Sequence, residues 1–212
     1  MEIEGEMEKI VRKAVDLGVS QVDVRYQQYD YELITVENKA LKSYSSRRLS
    51  GLGIKVALNG SVGYASTCDL NYASLEKTLE NAIKAAKSIK KEERHVVESK
   101  VNQVEMKSPY KINPIDVAPE EKVSAALDAN KAAWIDEKIK SAITRLGISK
   151  DYRIFMSSEG SRVVTETTMI GLAHESVAKS NGIMERVPYQ ESKCAGYEFI
   201  KSMDLNSFAA DI

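Results

Sequence analysis

The apolar positions of this chain change period several times, and each change marks an element. From about Glu4 to Leu17 they recur at helical spacing, with Met7, Ile10, Val11, Ala14 and Val15 on one stripe and Gly18 as the stop. Alternation takes over in Val22-Asp23-Val24-Arg25-Tyr26, a strand pattern. Tyr31 to Glu37 and Ala40 to Ser46 are two more strands about a turn containing Asn38. Ile54 and Val56 alternate with Gly53 and Lys55 before Asn59-Gly60; Val62 and Tyr64 alternate with Gly63 and Ala65 after it. Asn-Gly readily supplies the φ > 0 pair of a type I′ turn, so this stretch predicts a hairpin. A polar break at Thr67, Asp69 and Asn71 then leads into a helix from about Leu75 to Ile89, with Leu75, Leu79, Ala82, Ile83 and Ala86 on one stripe.

The second half repeats the order of elements without repeating residues. Lys90 to Lys100 is a charged exit, and Val101 to Asp116 reads as irregular, with Pro109 and Pro114. Pro119 suits the first turn of a helix, Glu120 and Glu121 suit its positive end, and its stripe is Val123, Ala126, Leu127 and Trp134. Strand patterns return at Ile139 to Ile148 and Tyr152 to Met156. A turn is expected at Ser158-Glu159-Gly160-Ser161, then a long strand over Val163 to Lys179, then a tight hairpin at Asn181-Gly182 returning through Ile183 to Tyr189. Leu205 to Ala210 reads as the start of a helix, with a frayed terminus as the alternative. The expected class is α+β, with antiparallel hairpins and helices packed against the sheet in two helix-then-strands units. Residues 1–100 form the first, 101–118 connect, and 119–212 form the second.

Composition narrows the function classes. Thirty basic and 31 acidic residues give a net charge of −1, which offers no electrostatic case for nucleic acid or an anionic membrane as main partner. No apolar run approaches the roughly 20 residues of a spanning helix. The opening MEIEGEMEK is acidic and unlike a secretory signal. Cys68 and Cys194 lack a metal-type spacing and are expected as buried or half-buried thiols in a reducing cytoplasm.

Few residues carry chemistry. The chain has two histidines, His95 and His174, so a helical two-histidine zinc motif cannot form within it. His95 lies in KKEERHVVESK and reads as a solvated residue. His174-Glu175 is followed at the next motif position by Lys179, and on a strand the two side chains point to opposite faces. Gly51-Leu52-Gly53 has Val56 where a phosphate loop needs glycine; its glycines relieve crowding or mark a bulge. Ser157 to Ser161 lacks the nucleophile-elbow pattern and reads as a turn. Lys84, Lys87, Lys90, Lys91 and Arg94 form a basic stripe diluted by Glu80, Glu92 and Glu93, a solvated helix face. Tyr26, Tyr29 and Tyr31 cluster near one turn, either as an interaction surface or as cover for a sheet edge.

Taken together, VSQVDVRYQQ with ELITVENKALKS, the GLGIKVALNGSVGYAST hairpin, the SSEGS turn and the closing GYEFI resemble the N-terminal part of the TldD/PmbA family, whose members include zinc metallopeptidases. The resemblance implies an α+β N-terminal domain ahead of a β-rich C-terminal domain that carries the zinc ligands in a His-Glu-x-x-x-His motif. It also implies homo- or heterodimers with a family member, and peptides or unfolded polypeptides as substrates. Nothing in this chain matches the metal motif, so the resemblance carries over no catalytic, metal or substrate-binding residue. Zinc is expected for a full-length member, and the second unit is expected to precede the metal-binding domain. The alternative is a non-catalytic binding or assembly module that pairs with a full-length paralogue.

Overall fold

The computed structural model describes residues 2–89 and 100–210. His95, Lys90, Lys91 and Arg94 lie outside the described residues, so the reading of that segment has no structural counterpart here. The elements run α1 (Glu2–Asp16), β1 (Gln21–Glu37), β2 (Ala40–Leu58), β3 (Ser61–Thr67), α2 (Tyr72–Ser88), β4 (Gln103–Lys107), α3 (Pro119–Ala132), β5 (Ile139–Ser157), β6 (Arg162–Ser180), β7 (Ile183–Lys193), α4 (Glu198–Ser202) and α5 (Leu205–Ala210). The class is α+β. The strands form one seven-stranded sheet in the order β3-β2-β1-β5-β6-β4, with β7 also paired to β6. Both β2–β3 and β6–β7 are antiparallel, whereas β4 runs parallel to β6. Among the described residues no helix is long and apolar enough to cross a membrane.

By packing, the chain divides into two compact units. Unit 1 is Met1–Tyr29, Leu49–Lys107 and Asp151–Glu166; unit 2 is Asp30–Arg48, Ser108–Lys150 and Thr167–Ile212. In unit 1, Met7, Ile10 and Ala14 of α1 and Leu75, Leu79, Ala82 and Ala86 of α2 pack with Val22, Val24, Leu52, Ile54, Val56, Ile154 and Met156 of the strands. Asn71 caps α2, its side chain accepting from Ser74 N at 2.9 Å. Helix and strand meet most closely at Gly63, where a Cβ would lie 2.0 Å from Ala82 O and 2.5 Å from Ala86 N. Only glycine fits there.

Unit 2 has its own core of Ile34, Val36, Ala126, Ala129, Ala142, Leu146, Ile170, Leu172, Tyr197 and Phe208. Lys122 lies on the buried face of α3 with Ala126, Ala129 and Asn130, and its Nζ donates to Glu32 Oε2 at 2.6 Å. Behind Cys194, Glu198 accepts from the backbone N–H groups of Lys111 at 3.1 Å, Ile112 at 2.9 Å and Gly196 at 3.1 Å, which ties α4 to the approach to α3. Asp204 caps α5 through Ser207, and Phe208 and Ala209 are buried, so the last helix is packed and not frayed.

Several expectations are corrected. Breaks read within strands are absent: β1, β2 and β5 each continue through them, so Tyr26, Tyr29 and Tyr31 lie along one strand and not about a turn. Residues 103–107, read as irregular, form β4; every one of its side chains is exposed, so no alternation betrays it. Val15 is 50% exposed because it lies off the stripe made by Met7, Ile10 and Ala14. Trp134 lies past the end of α3. Both thiols are exposed: Cys68 and Cys194 each directly follow the end of a strand, where no second layer covers them.

Candidate functional site

A metal centre depends on how its donor side chains converge. Strand β6 places His174 inward, 2% exposed, while Glu175 on the opposite face pairs with Arg186 of β7. His174 Nδ1 is 2.7 Å from Thr144 Oγ1, and Nε2 is 2.9 Å from Ser176 Oγ. Asn130 extends this buried chain: its Nδ2 donates to Thr144 Oγ1 and to Ala142 O, and its Oδ1 accepts from Lys39 N. Both ring nitrogens are therefore engaged inside the core, and burial pushes the imidazole below its ordinary range, with Glu175 pulling weakly the other way. A zinc site needs about three convergent ligands with open lone pairs. Among the described residues no three His, Cys, Asp or Glu side chains converge to hold a metal ion, and these residues do not fit zinc.

Unit 1 offers a different feature. The strand residues that alternate with its core point away from α1 and α2, and Arg25, Gln27, Tyr64, Ser66 and Arg153 are exposed. They line a trough of about 960 Å³ across β1, β2, β3, β5 and β6. The Arg25 guanidinium stacks 4.8 Å from the Phe155 ring centroid. Beside it, buried Asp23 accepts from Lys55 Nζ at 2.9 Å and lies 3.7 Å from the Arg25 guanidinium. Asp151 accepts from Gln27 Nε2 at 2.9 Å and also holds Arg153. The glycine in mid-β2 does relieve crowding, since a Cβ on Gly53 would approach Tyr64 Oη to 2.3 Å. No bulge interrupts the β2–β3 register from Leu52 to Leu58. Sequence reasoning named Gly53 and the tyrosines but missed Arg25, Arg153 and Phe155. Their signal was the polar half of each alternation, which marks a face without saying whether anything covers it.

The other candidates fall elsewhere. Ser157 to Ser161 forms the β5–β6 turn, in which Ser158 Oγ accepts from Val22 N and Ser161 Oγ from Asn102 N, so the hydroxyls staple backbone. Lys84 and Lys87 are exposed on α2.

Comparison with known proteins finds two family models on this chain. Residues 22–86 match the PmbA/TldA metallopeptidase domain 1, and residues 112–210 match the PmbA/TldA metallopeptidase central domain. A metalloprotease of Methanocaldococcus jannaschii is 30% identical over 201 residues, which is 93% of this chain and 43% of that protein. Among solved structures, a Thermotoga maritima protein named as a modulator of a DNA gyrase superposes with a TM-score of 0.82 at 17% identity, covering 98% of this chain and 46% of that one. TldE from Thermococcus kodakarensis gives 0.78 at 17% identity, covering 97% and 46%. At that identity the structures speak for the fold. In each case the chain spans less than half the length of the protein it matches.

Proposed function

Because this chain belongs to the TldD/PmbA family, we propose that it is the N-terminal portion of a metallopeptidase acting on peptides or unfolded polypeptides, with the catalytic zinc held by residues outside these 212. The observation that carries this reading is a mismatch. A chain similar to a metalloprotease holds no donor set for a metal among its described residues, and it spans 43% of that relative. The expected order of 1–100, 101–118 and 119–212 ahead of a metal-binding domain goes with it, supported by family models that break between residues 86 and 112. Two unpaired thiols suit a cytoplasmic protein. Reading the gene past codon 212 is the test: an in-frame His-Glu-x-x-x-His supports the proposal, and a stop with no such frame defeats it.

A second reading, a non-catalytic module that pairs with a full-length paralogue, is favoured by β7. All eleven of its residues are exposed, and among the described strands it pairs with β6 alone, leaving one row of main-chain groups open. Co-purification with such a paralogue supports this reading, and a strict monomer that captures none removes it.

A further inference from the structure

We propose that the trough on unit 1 binds an acidic, aromatic-containing segment of another polypeptide. Charge is the first argument. The lining includes Arg25 and Arg153 and not one aspartate or glutamate, so its near field is positive although the chain as a whole carries −1. Asp23 and Asp151 offset part of it: with Lys55 also bound to Asp23, three cations face two carboxylates, and the arginine side chains are the exposed members, 57% and 61% against 6% and 17%. Asp151 accepts from Arg153 and Asp23 lies 3.7 Å from the Arg25 guanidinium, so both planar cations are held at the lining of the trough, where their remaining donor capacity suits carboxylate oxygens.

The second argument is the surface between them. Arg25 and Arg153 stand on β1 and β5, neighbours in the sheet, with the half-buried Phe155 beneath Arg25 and the exposed Tyr64 across the trough. Aromatic rings flanked by planar cations give flat contact area at low entropic cost, the composition of peptide-binding hot spots. At about 960 Å³ the trough is at the upper end of small-ligand pockets, which run to about 1,000 Å³, and its lining is strand except for Cys68 just past β3. A nucleic acid would need cations repeated along a track, and two arginines do not make one. The proposal does not rest on the metallopeptidase reading, because binding here requires no metal and is measured without cleavage.

Fluorescence anisotropy of the whole 212-residue chain, with chelator present, provides the test. The probes are a labelled peptide of glutamates around a tyrosine, the same peptide with glutamine or lysine for glutamate, and a labelled oligo-dT. The acidic peptide is expected to bind about tenfold or more tightly than the glutamine version, and to weaken as salt rises. Arg25→Gln and Arg153→Gln should each lower its affinity about threefold to tenfold, whereas Arg47→Gln, an exposed position of unit 2, should not change it. Circular dichroism and melting of each variant confirm that the fold is kept. Equal binding of acidic and glutamine peptides, affinity unmoved by both arginine variants, no binding at all, or preference for oligo-dT would each overturn the proposal.

Discussion

At the scale of single residues, two titrating groups and one buried pair govern unit 2. Burial lowers the His174 pKa, so the folded state prefers the neutral ring more than the unfolded chain does, and the unfolded chain takes up the proton first. Stability is therefore expected to be full above the unfolded histidine value of about 6.5 and to decline as pH falls below it. Glu198 acts lower. Burial alone would raise its carboxyl, but the N–H groups of Ile112, Lys111, Glu198 itself and Gly196 together hold it down to about 2. Its contribution is present above the ordinary carboxylate range and is lost as pH falls from about 4.5 towards 2. Urea midpoints against pH should show both declines, with Glu198→Gln flattening the lower one and costing about 1–3 kcal/mol at neutral pH. Lys122→Met should cost about 3–5 kcal/mol, because it strands Glu32 in the core, and Lys122→Met with Glu32→Leu should recover most of that. None of this was legible in sequence. A lysine beside an apolar stripe reads as solvated, and only the partner 90 positions away shows otherwise.

Among elements, turns were the most legible feature because their chemistry is local. Asn59-Gly60 and Asn181-Gly182 take φ of 51° and 77°, and of 49° and 80°, the pair a type I′ turn requires. Asn38-Lys39 does the same at 51° and 69° without glycine, held by Asn38 Oδ1 accepting from Ala142 N and by Lys39 N donating to Asn130. The helix stripes of α1 and α2 were legible for the same reason, since each has a continuous apolar face to bury. Long strands were legible only in part: Val163 to Lys179 reads as one strand and is β6, but β1 and β5 read as broken. Residues 27–30 of β1 and 149–151 of β5 break the alternation, yet the ladder continues because the neighbouring strands fix register there. Gly63 is the tightest joint between elements: Gly63→Ala must push α2 away and should cost about 1–3 kcal/mol in chemical denaturation. A loss below about 0.5 kcal/mol would mean that α2 moves freely on β3.

For the molecule as a whole, the sequence resemblance and the family models agree on the family, while the site that gives the family its activity has no counterpart among the described residues. The candidate trough was only half legible: its glycine and tyrosines stood out, its arginines did not, because an exposed face is a property of what the fold leaves uncovered. The proposed peptidase activity rests on residues outside these 212. That placement is tested most directly by metal analysis of the untagged 212-residue protein alongside a casein or peptide cleavage assay. With His174 locked between Thr144 and Ser176 and no convergent donors among the described residues, the expected result is no stoichiometric zinc and no chelator-sensitive cleavage. One zinc per chain together with cleavage abolished by a chelator would contradict it.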